Sequence, residues 1–189
     1  MQANEKRFPN GMKPVADHIH SLGMKAGLYT DAGTRTCGSL WNKDSIGIGA
    51  GIYGHEPQDA QLYFGDWGFD FIKIDYCGGE VLGLDEKERY TSIRNSIDKV
   101  NKNVSINICR WAYPGTWAKD AATSWRISGD INAHWNSLKY VVGKNLYLSA
   151  YAGNGHYNDM DMMVIGFRNK GFRIKARQTA TRLASPPDN

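Results

Sequence analysis

The feature that most constrains this chain is an alternation: a stretch with apolar residues at helical spacing, then a short run fit for a buried strand, then the same again. Met12, Val15, Ala16, Ile19 and Leu22 recur at helical intervals, and Gly23 supplies a stop. Gly27-Leu28-Tyr29 follows as a strand. Residues 59–67 read as a helix leading into the run from Phe69 to Asp75, and Tyr90, Ile93, Ile97 and Val100 mark a helix before a strand from Val104 to Cys109. Ser124 to Ser128 is a further strand candidate, followed by a helix bearing Trp135, Leu138, Val141 and Val142. Met162 to Ile165 is the last strand candidate. Such alternation calls for parallel strands with crossover helices, which leaves a (β/α)8 barrel or an open doubly wound sheet.

The polar residues favour the barrel. Tyr29 and Asp31, Lys73 and Asp75, Arg110 and Trp111, Arg126 and Asp130, and Asp159 and Asp161 stand at or just past strand ends. In a barrel those ends converge on one face, where catalytic residues gather. No GxGxxG or GxxxxGK[ST] loop opens a helix, which weakens the nucleotide-binding form of the open sheet.

Bulk properties narrow the function. A chain of 189 residues with 41% hydrophobic content suits one domain or a large piece of one. No run reaches the roughly 20 apolar residues of a membrane span, and the first thirty residues are too polar for a signal peptide's apolar core. The net charge of +4 comes from the end: Arg168, Lys170, Arg173, Lys175, Arg177 and Arg182 stand beside a single acid, Asp188. Without that segment 17 basic residues face 18 acidic ones, so no continuous basic surface for nucleic acid is expected. Cys37, Cys77 and Cys109 lack CxxC spacing and the density of a disulfide scaffold.

Lys73 and Asp75 lie two apart in a strand and project from one face. A lysine beside a carboxylate favours its ionised form, as a nucleophile requires, and it equally suits a structural ion pair in a barrel interior. Arg126 and Asp130 lie four apart where a strand passes into a helix, and Ser128-Gly129-Asp130 also reads as a helix N-cap. Taken with Asp75, Asp130 supplies the second carboxyl of glycoside hydrolysis, in which one attacks and the other protonates the leaving oxygen. The cluster Asn158-Asp159-Met160-Asp161-Met162 has hard oxygen ligands, but EF-hand spacing is absent and a hydroxyl-rich ligand fits as readily as a cation. The five histidines are scattered. Among the many aromatic residues, Tyr29, Trp111 and Tyr113 stand where a ring face could stack on a sugar.

Four segments together carry a resemblance. Leu28 to Cys37 (LYTDAGTRTC), Trp67 to Cys77 (WGFDFIKIDYC), Trp125 to Ile131 (WRISGDI) and Asn158 to Met162 (NDMDM) resemble, in order, motifs of glycoside hydrolase family 27, over roughly residues 8–167. The resemblance implies a (β/α)8 TIM barrel, an α/β fold of which about strands 3 to 7 are present in residues 1–172. It implies retaining hydrolysis of terminal α-D-galactosides through a covalent intermediate, with Asp75 as nucleophile and Asp130 as acid/base and with no metal or organic cofactor. Tyr29, Lys73, Arg126, Asp161, Met162, Trp111 and Cys37 become sugar-side residues, and Cys37 and Cys77 match a family disulfide. Galactosides are the implied partners, neither nucleic acid nor membrane is expected, and the disulfide favours a secreted or periplasmic setting.

Departures from the family pattern set further expectations. Arg110 stands where many members carry a glutamate, which bears on the choice among α-galactosidase, α-N-acetylgalactosaminidase and β-L-arabinopyranosidase activities. Cys109 lacks a partner, since Ala122 occupies the matching position, and is expected to be a free, buried thiol. The family's first two strands, including its paired sugar-holding aspartates, have no counterpart before Met1, and residues 173–189 form an unmatched basic tail. These ends predict a truncated or frame-shifted gene product, whose open sheet edges favour self-association and whose alternative role is an inactive sugar-binding fragment.

Overall fold

The structure is a computed structural model and describes residues 2–162. Five strands, β1 Gly27–Asp31, β2 Phe71–Asp75, β3 Ser105–Cys109, β4 Ser124–Arg126 and β5 Tyr157–Asp159, form one parallel sheet in the order of the sequence. Each strand lies beside the next, with none of the reversal in order that an open doubly wound sheet shows at its switch point.

The two faces of the sheet differ as the pleat dictates. Ile72, Ile74, Ile106, Ile108 and Trp125 alternate along β2 to β4 and pack into one buried cluster with helix residues Ala16, Tyr63, Phe64, Tyr90, Ile93, Ile97 and Ala118. The intervening positions, Lys73, Asp75, Asn107, Cys109 and Arg126, turn to the other face. Helices on one side and a polar layer on the other make an arc of a (β/α)8 barrel.

Helix α1 Lys13–Ser21 leads into β1, and the connections between strands carry α2 Cys37–Trp41, α3 Glu56–Ala60, α4 Cys77–Val81, α5 Glu86–Asp98, α6 Ala118–Ala121 and α7 Trp135–Leu148. Helix α5 starts where Asp85 accepts the Glu88 N–H at 2.8 Å, with Glu86 and Glu88 in its first turn complementing the helix dipole. The helix read over 59–67 is two pieces, α3 and a π-helical stretch Gln61–Asp66. The wider winding accompanies burial of Tyr63 and Phe64, and Tyr63 stacks on Trp67 with centroids 5.5 Å apart.

One expectation falls outside the described residues and one shifts. The last described strand is Tyr157–Asp159, overlapping the start of the acidic cluster; of the strand expected over Met162–Ile165, residues 163–165 are outside those described, as is the basic segment 173–189. Pairing defines Tyr157–Asp159 as a strand: Ser124, Trp125 and Arg126 take Tyr157, Asn158 and Asp159 in register. No helix begins at Asp130. Helix α7 starts at Trp135 with His134 before it, so Asp130 caps nothing.

Candidate active site

Strands β1 and β2 end level, Asp31 opposite Asp75, because Tyr29 pairs with Lys73 in register. Tyr29 Oη donates to Asp75 Oδ2 at 2.9 Å, and Lys73 Nζ pairs with Asp75 Oδ1. The Lys73 ammonium also sits 5.1 Å from the centre of the Tyr29 ring. Burial is the largest single influence on Lys73 and works against its charge, but the hydrogen bond to Asp75 and the attraction of the neighbouring acidic groups together outweigh it, and the ammonium is held above its ordinary value. Burial, then the anionic Asp75, push the Tyr29 phenol up, so it is a donor throughout the working range.

A second group comes from β4, β5 and the loops after them. Arg126 is almost fully buried, and its Nη2 reaches Asp130 Oδ1 at 3.1 Å and Asp161 Oδ2 at 3.0 Å. The same Asp161 oxygen accepts the Ile131 N–H at 2.9 Å. Asp161 adopts a left-handed backbone, φ 69°, a region Asp enters more readily than most residues, and so does the bulky Trp111, φ 62°, for which it is a strained conformation. Lys73, Arg126, Asp130, Ile131, Asp159, Asp161 and Met162 line one open cleft of about 670 Å³.

Cys37 and Cys77 are joined, with Cα atoms 5.1 Å apart, tying the loop after β1 to the loop after β2. Cys37 Sγ lies 3.4 Å from Asp75 Oδ2, so the bridge packs against the nucleophile candidate. Asp31, fully buried, braces the same junction by accepting the Gly33 and Gly78 N–H groups on Oδ1 at 2.7 and 2.9 Å. Burial pushes its carboxyl up to about 6, although the two N–H bonds pull the other way. The loops meet so closely that a Cβ on Gly33 would lie 2.1 Å from the Gly78 carbonyl carbon.

Of the residues singled out in the sequence, Tyr29, Lys73, Asp75 and Cys37 meet in one group, and Arg126, Asp130 and Asp161 in another. Lys73 shares its cleft with the second group. Met162 is on the rim and mostly exposed. Trp111 packs partly against the main core and does not line this cleft. Tyr113 is turned to Tyr151, centroids 5.1 Å apart, in a different cleft beside Lys119 and His156. Asp159 and Asp161 do not act as a parallel pair. Asp159 takes the Asn107 amide on Oδ2 at 3.0 Å and the Asp161 N–H on Oδ1 at 2.8 Å, while Asn158 faces away to Trp125 Nε1 at 2.8 Å.

Asn107 was not legible as a site residue. It is buried in β3 and bridges Asp159 and Ser124; the available signal was an amide set between Ile106 and Ile108, on the face of the strand opposite the isoleucines. Cys109 is free and buried, its thiol pushed up to about 12 by burial. Arg110 pairs with Glu86, Nε to Oε1 2.7 Å.

The sequence matches the Melibiase_2 family, described as alpha galactosidase A, over residues 1–185. The chain belongs to this family. The match of this Melibiase_2 chain extends past the 8–167 span of the motifs. The chain is 38% identical over 179 residues to an alpha-galactosidase A from Cellvibrio japonicus, covering 88% of this chain and 41% of that protein. It is 39% identical over 168 residues to an alpha-galactosidase from Cyamopsis tetragonoloba, covering 88% and 38%. Among solved structures, an alpha-galactosidase from Saccharomyces cerevisiae determined with raffinose superposes with a TM-score of 0.74 at 28% identity, covering 89% of this chain and 41% of that one. The chain thus spans about two-fifths of the length of the curated relatives it matches. Among the described residues no helix is long and apolar enough to cross a membrane.

Proposed function

We propose that this chain carries the reacting centre of a retaining, exo-acting α-galactosidase, with Asp75 as nucleophile and Asp130 as acid/base. The observation that carries the reading is the contrast between the two carboxylates. The Asp75 side chain is 9% exposed and held by Lys73 and Tyr29, whereas that of Asp130 is 73% exposed and held from one side by Arg126. A nucleophile must be fixed and desolvated against the anomeric carbon; an acid/base must reach the leaving oxygen and then exchange its proton with water.

In the first step an Asp75 oxygen bonds to the anomeric carbon while Asp130 gives its proton to the departing oxygen. In the second, Asp130 takes a proton from water, the hydroxide bonds to the anomeric carbon, and the ester to Asp75 breaks, so two inversions give net retention. Lys73 and Tyr29 orient the Asp75 carboxylate. Arg126 and Asp161 fix the loop that carries Asp130, and Asp161 and Met162 face the sugar from the cleft wall. The names of the relatives support galactosides as the substrate class. The pairing of Arg110 with Glu86 supports a pocket in which its guanidinium is already engaged and is not the group that holds the sugar.

The test is hydrolysis of an aryl α-D-galactoside by the protein and by Asp75→Ala and Asp130→Ala. Both substitutions should lower turnover by orders of magnitude, and azide should restore Asp75→Ala with inverted product. Activity that survives Asp75→Ala would sink the mechanism. Aryl α-N-acetylgalactosaminide and β-L-arabinopyranoside run in parallel read the preference at the sugar ring. Galactose binding without turnover in the unmutated chain would favour the sugar-binding alternative.

A further inference from the structure

The surroundings of Asp75 contain a second arrangement that sugar chemistry does not use. Asp31, Cys37 and Cys77 bring a carboxylate oxygen and two sulfurs within 4.8 Å of one another. In the oxidised chain the sulfurs are bonded and neither is a ligand. Two carboxylates nevertheless turn an oxygen toward them: Asp31 Oδ2 is 4.0 Å and Asp75 Oδ2 3.4 Å from Cys37 Sγ. The other oxygen of each is already committed, Asp31 Oδ1 to the Gly33 and Gly78 N–H groups and Asp75 Oδ1 to Lys73.

We propose that reducing the Cys37–Cys77 bridge creates a tetrahedral site for a thiophilic divalent cation such as zinc, with ligands Cys37 Sγ, Cys77 Sγ, Asp31 Oδ2 and Asp75 Oδ2. Tetrahedral zinc with Zn–S near 2.3 Å and Zn–O near 2.0–2.2 Å has S···O edges of about 3.5 Å and an S···S edge of about 3.8 Å. The two S···O distances at Cys37 already straddle the first value, and reduction lets the sulfurs part by rotation of two side chains whose Cα atoms are 5.1 Å apart, with Cys77 Sγ starting within 4.8 Å of an Asp31 oxygen. The Trp41 indole N–H, 3.3 Å from Cys77 Sγ, would donate to that sulfur as a thiolate, and Lys73 offsets part of the negative charge. With a water-soluble phosphine the reduction balances: the disulfide and one water give two thiols, and phosphorus leaves as phosphine oxide. The cation then displaces one proton from each thiol as the sulfurs bind it.

The consequence for catalysis rests on the reading of Asp75 as nucleophile; the metal site does not. A cation on Asp75 Oδ2 occupies the oxygen that Tyr29 holds, so the reduced, metal-loaded chain is inhibited and the oxidised chain is indifferent to zinc.

The test uses cobalt(II) as a spectroscopic probe of the phosphine-reduced chain. One equivalent should give thiolate-to-cobalt charge transfer with the visible bands of tetrahedral cobalt, and the oxidised chain should give neither. Alkylating the reduced thiols or making Cys37→Ser should abolish the signal, Asp75→Asn should weaken binding at least tenfold, and Cys109→Ala should leave it in place. Absence of charge transfer in the reduced chain, or its persistence after Cys37→Ser, overturns the site; loss in Cys109→Ala overturns the ligand set. Zinc should lower aryl galactoside hydrolysis by the reduced chain more than tenfold, reversibly with a chelator. Cobalt binding by a chain inactive in both redox states would count against the proposed hydrolase activity of the chain and leave the metal site supported.

Discussion

Tyr29 and Lys73 hold one carboxylate by different means, a neutral hydrogen bond to Oδ2 and an ion pair to Oδ1, and Tyr29→Phe separates the two. Phenylalanine keeps the ring beneath the Lys73 ammonium, so packing is retained and one donor to an anion is lost. Such a bond contributes about 1.5–3 kcal/mol, so kcat/KM should fall roughly 10- to 100-fold with an unchanged unfolding midpoint. A fall in stability of the same size would make Tyr29 structural instead. At this scale the sequence is informative where partners are close along the chain: Lys73 with Asp75, two apart, and Arg126 with Asp130, four apart. It is silent about Arg126 with Asp161 and Asn107 with Asp159, because these meetings depend on strand register, which no local spacing encodes.

Elements follow the same division. Strands β2 and β3 stand where alternating isoleucines place them, since each buries that face on the helices, and β1 stands where a helix stop is followed by a short run. Strand β5 has no such pattern, because Tyr157–Asp159 is polar and is defined by pairing with β4. The opposite, amino-terminal end of the sheet has its own fastening in Asp70, which binds His20 Nε2 at 2.7 Å, Lys25 Nζ at 3.0 Å and the Ala26 N–H at 3.0 Å, joining α1 to the starts of β1 and β2. Burial alone would raise its carboxyl, but the bonds from His20, Ala26 and Lys25 outweigh burial and hold it below the ordinary value. A carboxyl lowered on folding contributes stability that is present above its unfolded value, near 4, and is lost as pH falls through its folded value. Asp70→Asn should therefore cost about 1–2 kcal/mol in urea unfolding at neutral pH, and the difference from the unmutated chain should shrink as pH falls through the folded value. A difference constant across that range would show that shape, not charge, sets the fastening.

On the scale of the whole molecule, the Cys37–Cys77 bridge links residues 40 apart in sequence, and in the folded state it duplicates a junction that Asp31 also holds through Gly33 and Gly78. Its principal effect on stability therefore lies in the unfolded chain, where closing a loop of that length removes conformational freedom equivalent to about 4 kcal/mol in the chain-entropy treatment. Replacing both cysteines with serine, in a metal-free buffer, should lower the unfolding free energy by about 2–4 kcal/mol. Because the freed ensemble is more expanded, the urea m-value should rise rather than stay constant, while the near-ultraviolet circular dichroism of the folded form is retained. A loss of stability with an unchanged m-value and an altered folded spectrum would place the effect in the native loops, with the bridge rather than Asp31 holding the ends of β1 and β2 together.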